Sequence, residues 1–222
     1  MSTRIGVIAE GPIDHNIISP LLKKISEERA LFTWPVLPDD AAAWLNLRRR
    51  GHGGVYLAVK RIIKVLEKET SSPYAFVVIL LDHRTKPIQE RVKKLISGKK
   101  GFVLAIAKKE IEAWWLADRT NTLAWLKLES MPSSLRYFKD GYKAEQDDAP
   151  KRTLHELTQT SSRLDRVYGE GNTELARDFA ELWEGKVRLR EIEEQCPINF
   201  PPFCEHVTQS FRQAKNSAGR LF

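Results

Sequence analysis

Acidic residues close or follow three short apolar segments of this chain. Glu10 closes the segment 4–10, Asp82 closes the segment 76–82, and Glu110 with Glu112 follow the segment 101–107. Short runs rich in valine, isoleucine and leucine predict strands that are covered on both faces. The carboxyl ends of parallel strands lie along one edge of a sheet, so we expect these carboxylates to converge there.

Converging carboxylates repel one another unless a cation neutralises them, and a set of oxygen ligands suits Mg²⁺ or Mn²⁺. A cation held in this way activates water and binds phosphate oxygens during phosphodiester cleavage. Asp14 lies four residues beyond Glu10, one helical turn away on the same side. The expected metal ligands are therefore Glu10, Asp14, Asp82, Glu110 and Glu112.

The same acids have a structural alternative. An acidic residue in the first turn of a helix stabilises the helix dipole by about 0.3–1 kcal/mol, which accounts for Asp14, Glu110 and Glu112. The dipole does not account well for Glu10 and Asp82, because each of them directly ends a strand. The residues alone leave both interpretations open.

The order of predicted elements is that of an α/β protein with a parallel sheet and right-handed crossovers. Helices are expected at 14–28 with Asp14 as the N-cap, at 55–69, at 87–96 and at 110–128, and an edge strand is expected at 31–38. An irregular loop follows at 129–149, and the last 70 residues predict three or four helices, broken at 168–172 and 196–203. We therefore divide the chain into an α/β core at 1–118 and a helical extension at 119–222 that packs on it.

The chain is basic, with 36 Lys and Arg against 29 Asp and Glu and a formal net charge of +7. A basic surface favours polyanions, because phosphates that are neutralised release their counterions. Lys151 and Arg152 begin a helix where positive charge opposes the dipole, so phosphate contacts would explain them better than stability does. The expected nucleic-acid contacts are Arg49, Arg50, Lys60, Lys151 and Arg152, although each basic cluster is equally typical of a solvated helix face.

Several classes of protein are disfavoured. No apolar stretch approaches the roughly 18 residues that span a bilayer, and the N-terminus lacks the layout of a signal peptide, so we expect a cytoplasmic protein without membrane contact. Cys196 and Cys204 lack the CxxC spacing of a zinc site and are expected to be structural thiols. The segment RGHGG at 50–54 lacks the Lys-Ser/Thr of a Walker loop.

Histidine and tryptophan supply two further expectations. His83 directly follows Asp82 and is the best candidate for a general base among the five histidines. Trp114 and Trp115 are adjacent on a predicted helix, and we expect them to fill the junction between core and extension rather than to stack on bases.

Three stretches carry a resemblance to a known family. The segments VIAEGPID (7–14) and VVILLDHR (77–84) resemble the first two motifs of Toprim domains, as found in the overcoming-lysogenization-defect (OLD) nucleases. The segment AIAKKEIEAWWLAD (105–118) is similar to the third region of small Toprim-like bacterial proteins. The resemblance implies a Toprim-like core with helices on both faces and catalytic roles for Glu10, Asp82 and Glu112.

The resemblance further implies a Mg²⁺-dependent nuclease of antiviral defence that works with a separate ABC- or OLD-type ATPase. One position departs from the family pattern, because Arg84 stands where the second acid of Asp-x-Asp is expected. An arginine beside the acids is consistent with a site that holds one metal rather than two. Alternatively, Arg84 binds the scissile phosphate, or it pairs with an acid in a catalytically silent module that binds nucleic acid or a protein. The choice between DNA and tRNA and the oligomeric state, a homodimer included, stay open.

Overall fold

A computed structural model describes most of the chain. The described residues are 3–27, 31–35, 52–67, 74–82, 86–128, 133–161, 167–169 and 173–218.

Four parallel strands form the sheet. They are β1 (Thr3–Ile8), β2 (Leu31–Pro35), β3 (Phe76–Asp82) and β4 (Phe102–Ala107). The strand order is β2-β1-β3-β4, so β1 and β3 are central and lie side by side. Their pairing aligns Ile8 with Ile79, which places the ends of both strands at one edge of the sheet. The predicted edge strand is confirmed over Leu31–Pro35.

Helices separate and follow these strands. In chain order they are α1 (Pro12–Ser26), α2 (His52–Leu66), α3 (Lys86–Ile96), α4 (Glu112–Ala117), α5 (Arg119–Leu126), α6 (Pro150–Gln159), α7 (Thr173–Trp183), α8 (Leu189–Gln195) and α9 (Phe200–Ala218). Two short 3₁₀ turns, Arg136–Phe138 and Ala144–Gln146, interrupt the predicted loop. The α/β class and the helical second half are therefore as expected.

Both faces of the sheet are buried, as the apolar runs predict. On one face, Val78 and Leu80 of β3 join a core that contains α1, α9 and the buried aromatic residues of the extension. On the other face, Val77, Ile79 and Leu81 pack against α2 and α3. The extension thus shares one continuous core with the sheet.

The start of α1 differs from the sequence expectation. The helix begins at Pro12 with Gly11 as the N-cap, so the assignment of Asp14 as N-cap is wrong. Asp14 is the third helical residue, and its Oδ2 accepts the Gly11 amide at 2.8 Å. The acid therefore reaches back to the cap from inside the helix, as the glutamate of a capping box does.

The predicted helix over 110–128 is divided at Asp118. This residue has φ −79° and ψ 71°, and its carboxylate accepts the amide of Asn121 at the start of α5. Asp118 thus ends α4 and caps the next helix. The expectation for the tryptophans is confirmed, because Trp114 stacks on Phe203 of α9 and Trp115 stacks on Phe179 of α7.

Two smaller expectations concern the cysteines and the membrane. Cys196 is buried and Cys204 is half-buried, and both are free thiols. Across the described ranges, no helix combines the length and the apolar character that crossing a membrane demands.

Candidate metal centre

Glu10 and Asp82 meet where β1 and β3 end. Glu10 lies two residues beyond β1, and Asp82 is the last residue of β3. The Asp82 amide donates to Oε1 of Glu10 at 3.2 Å, so the Glu10 side chain crosses to the neighbouring strand. Both side chains are partly exposed. The sheet therefore brings together two acids that lie 72 residues apart in the chain, as predicted.

Asp14 approaches the same place from the first turn of α1. One of its oxygens is used by the Gly11 amide, so the structural alternative holds for that oxygen. The charges of Glu112 and Glu10 raise the pKa of this carboxyl group, and its own charge raises the pKa of Asp82. Asp14 therefore combines helix capping with membership of the acid cluster.

Glu112 is the most deeply buried acid of the cluster, with 1% of its surface exposed. It opens α4, shortly after β4, and the hydroxyl of Tyr168 donates to its Oε1. Its Oε2 is buried and has no hydrogen-bond partner among the described residues. A buried carboxylate oxygen without a donor is costly, so this atom points to a partner other than protein.

Glu110 is engaged with the start of α6. Its Oε2 accepts the backbone amide of Lys151 at 3.1 Å, and its Oε1 lies 3.6 Å from the Lys151 ammonium. This contact anchors α6 to the end of β4 and brings a cation beside the acids. The structural role expected for Glu110 was in the first turn of a helix from 110, but that helix begins at Glu112, and Glu110 instead accepts from the start of α6.

Burial and mutual repulsion change the protonation of the cluster. Burial first, and then the charge of Glu112, raise the pKa of Asp14 to about 7. Burial and the neighbouring Glu10, Asp14 and Glu112 raise the pKa of Asp82 to about 8. Burial also raises the pKa of Glu112. Raised pKa values of this kind mean that the ionised carboxylates are unfavourable in the folded protein, which is typical of functional sites.

Lys151 opposes this repulsion. Burial alone would lower the pKa of its ammonium group, but Glu112, Glu110, Asp82 and Asp14 outweigh burial and raise it. The extension therefore supplies a positive charge to a site whose acids come from the core.

The other predicted basic contacts lie elsewhere or outside the described residues. Lys60 is exposed on α2. Arg152 is next to Lys151 in sequence, but its side chain is 80% exposed and pairs with Glu156. The described ranges leave out Arg49, Arg50, His83 and Arg84, so the departure from Asp-x-Asp and the candidate base have no structural account.

The residues fit a hard divalent cation by their chemistry. Carboxylate oxygens are what Mg²⁺ and Mn²⁺ prefer, and the unpartnered Oε2 of Glu112 is a ligand atom without another role. Across the part of the chain that the structure describes, no three acidic, histidine or cysteine side chains already stand in the arrangement of a metal cage. Glu10, Asp82 and Glu112 would hold the ion, with Asp14 beside them.

Sequence reasoning missed Tyr168. It lies in the predicted break at 168–172, away from any periodic segment, and no spacing relates it to Glu112. Its 2% exposure in a stretch predicted to be a loop is the one property that would have singled it out, and burial of a loop residue is not visible in the sequence.

A separate groove lies beside the edge strand β4. It has a volume of about 460 Å³ and is lined by residues of α3, β4 and α9, among them Lys93, Leu104 and His206. None of the clustered acids lines it. The acid cluster at the strand ends is therefore not part of this groove.

Searches of protein-family models, curated proteins and solved structures for relatives of this chain give no significant match.

Proposed function

We propose that this chain is a divalent-metal-dependent nuclease of Toprim type that hydrolyses phosphodiester bonds in DNA or RNA. The observation that carries the proposal is the contact between Glu10 and Asp82 at the strand ends, with the charge of Glu112 near enough to raise the pKa of Asp82. The Oε2 of Glu112 is also buried without a hydrogen-bond partner among the described residues. The motifs around these residues resemble those of Toprim domains, which supports the same assignment.

Each group of the site has a distinct role in the proposal. Glu10, Asp82 and Glu112 hold the cation, which when bound supplies a Lewis acid that lowers the pKa of water and offsets phosphate charge. Lys151 faces the acids with an ammonium group that attracts a phosphate oxygen of the substrate. Gly11 and Tyr168 orient Asp14 and Glu112 through hydrogen bonds.

The wider role rests on the resemblance. Toprim proteins of this type work beside an ABC- or OLD-type ATPase in antiviral defence, and we propose such a partner for this chain. Lys60 and the other basic residues predicted to contact nucleic acid would then bind the substrate outside the metal site.

The contact between Lys151 and the acids favours one alternative. An ammonium group that neutralises the cluster replaces part of what a cation would do, as in a protein that has kept the fold and lost catalysis. In that case the chain is a silent Toprim-like module that binds nucleic acid or a protein partner.

A cleavage assay tests the proposal. The protein is incubated with plasmid DNA and with total tRNA in Mg²⁺, Mn²⁺ or EDTA, with and without a candidate ATPase. We expect cleavage in either metal, none in EDTA and none by Asp82→Ala. Asp140→Ala, which changes an exposed aspartate outside the cluster, is the matched control and keeps activity.

The possible results separate the two functions. Cleavage that resists EDTA, or full cleavage by Asp82→Ala, contradicts the metal-dependent mechanism. Binding of nucleic acid without cleavage in any condition supports the silent module.

A further inference from the structure

We infer that Tyr168 is a positioning residue of the metal centre, whose hydroxyl fixes one oxygen of Glu112 and so presents the other to a divalent cation. The inference rests on the proposed function and deepens it, because it assigns a residue of the helical extension to a site whose acids belong to the core.

The contact between the two side chains is almost fully enclosed. Tyr168 is 2% exposed and Glu112 is 1% exposed, and the hydroxyl donates to Oε1. A carboxylate bound through one oxygen by a fixed donor keeps its second oxygen in a defined direction. Here the second oxygen, Oε2, has no partner among the described residues.

Tyr168 is itself held on its backbone and on its ring. Its amide donates to Oγ1 of Thr158 at 2.8 Å, and its carbonyl oxygen accepts from Nδ1 of His155 at 2.6 Å. Its ring meets Trp115 edge-on, with the ring centroids 5.7 Å apart. These contacts leave the hydroxyl little freedom, which is what a positioning residue requires.

One helix connects this support to the rest of the site. His155 and Thr158 belong to α6, and the same helix carries Lys151 at its start. Through α6, the extension thus delivers a positive charge to the acids and a hydrogen bond to Glu112. The two contributions depend on one docked helix.

A purely structural role would leave a different pattern. Asp118, which is 0% exposed, accepts hydrogen bonds on both carboxylate oxygens, from Asn121, Trp183 and the Arg188 amide. A tyrosine that served only to satisfy Glu112 would leave its other oxygen equally well paired. The arrangement at Glu112 is instead what a cation ligand needs, with Oε1 oriented by Tyr168 and Oε2 without a partner among the described residues.

Tyr168→Phe tests the inference, because phenylalanine keeps the ring on Trp115 and removes the hydroxyl alone. The matched control is Tyr137→Phe, since Tyr137 is also buried and its hydroxyl donates to the carbonyl oxygen of Leu116 rather than to a carboxylate. Affinity for Mg²⁺ and Mn²⁺ is measured by calorimetric titration of the full chain, and cleavage of plasmid DNA and tRNA is measured in parallel.

We expect cation affinity to fall about 10-fold or more in Tyr168→Phe and to stay unchanged in Tyr137→Phe. Wild-type affinity in Tyr168→Phe overturns the inference and leaves the proposed function standing. Failure of the wild-type protein to bind either cation overturns both.

A second variant keeps the test decisive if Tyr168→Phe does not fold. Glu112→Gln retains a carbonyl oxygen that accepts the Tyr168 hydroxyl, but it replaces the charged Oε2 with an amide group. We expect a folded protein that has lost cation binding. A folded Glu112→Gln that binds Mg²⁺ as tightly as wild type contradicts the role of Oε2 and, with it, that of Tyr168.

Discussion

Buried carboxylates occur in two regions of the molecule, and their surroundings differ between the two. In the helical extension, Glu145 accepts the amides of Ile198 and Asn199 and the side chain of Asn199. Asp147 accepts from Thr153, Tyr142 and the amide of Ala149, close to the start of α6. Each of these acids fixes a loop or a helix end, and each has several donors.

At the strand ends the acids lie close together and repel one another. Among the described residues, Oε1 of Glu112 accepts the Tyr168 hydroxyl and its buried Oε2 has no hydrogen-bond partner, and the pKa values of Asp82 and Asp14 are raised. An unsatisfied buried polar atom costs about 1–3 kcal/mol, more when it is charged. The difference teaches that this chain can satisfy a buried acid fully, so the unpartnered Oε2 of Glu112 and the raised pKa values beside it single out the strand ends as the candidate site.

The largest effect on stability is expected from Asp118→Ala. The change leaves the Trp183 indole and the Arg188 amide without the carboxylate that accepts from them, and it removes the N-cap of α5. The Asn121 side-chain amide keeps its hydrogen bond to the Lys186 carbonyl oxygen. We expect the free energy of unfolding to drop by more than about 3 kcal/mol, measured by urea denaturation. A loss no greater than that of the exposed Asp140→Ala would show that the network carries little stability.

A smaller loss is expected from Lys151→Ala, which removes the positive charge beside the acid cluster. The Lys151 side chain is 38% exposed, so we expect a loss of about 1–2 kcal/mol rather than the 3–5 kcal/mol of a fully buried pair. Arg152→Ala is the neighbouring control, and its exposed pair with Glu156 should contribute less than about 0.5 kcal/mol. Equal losses in urea denaturation would refute the coupling of Lys151 to the acids.

The opposite sign is expected from Asp82→Asn in buffer without divalent cations. The change removes charge from the repelling cluster and keeps the backbone amide that donates to Glu10. We expect the protein at pH 9 to gain about 1 kcal/mol of stability and to lose the rise in melting temperature that Mg²⁺ gives the wild type. Lower stability of Asp82→Asn would show that the Asp82 carboxylate stabilises the fold by more than its repulsion with the other acids destabilises it.

The smallest effect is the change of stability with pH. Asp14 and Asp82 have folded-state pKa values of about 7 and about 8, against 3.8 in the unfolded chain, so both bind protons more tightly when folded. Their contribution to stability is complete below pH 3.8 and is lost as the pH rises through 7 and 8. Between pH 6 and 9, metal-free wild type should lose roughly 1 kcal/mol more than Asp82→Asn in urea denaturation. Parallel pH profiles would contradict the raised pKa of Asp82.

Much of the fold follows from local patterns in the sequence. The apolar runs predict β1, β3 and β4, and the acids at their ends predict the convergence of Glu10 and Asp82, because parallel strands share an edge. The division of the helix at Asp118 also had a signal, since aspartate is a favoured N-cap. Despite this signal, one uninterrupted helix is predicted, because the apolar stripe continues to Leu126.

The remaining half of the site could not be predicted from local patterns. Lys151 reaches the acids because Glu110 accepts the first turn of α6, and Tyr168 reaches Glu112 because α6 holds its backbone. Both contacts depend on how the extension docks, across a loop without periodicity. The preference of aspartate for the N-cap position also gave a wrong assignment. Gly11 is the N-cap, and Asp14, the third helical residue, accepts the Gly11 amide.

The hydrogen bond between Tyr168 and Glu112 has a consequence for the newly made protein. It joins residues that are 56 positions apart, and Tyr168 is the later of the two to be synthesised. At about 5–20 residues per second, a ribosome makes Tyr168 roughly 3–11 s after Glu112. A nascent chain that already carries its strand-end acids therefore waits several seconds for the residue that orients Glu112, and the candidate site is complete only after the α/β core has been translated.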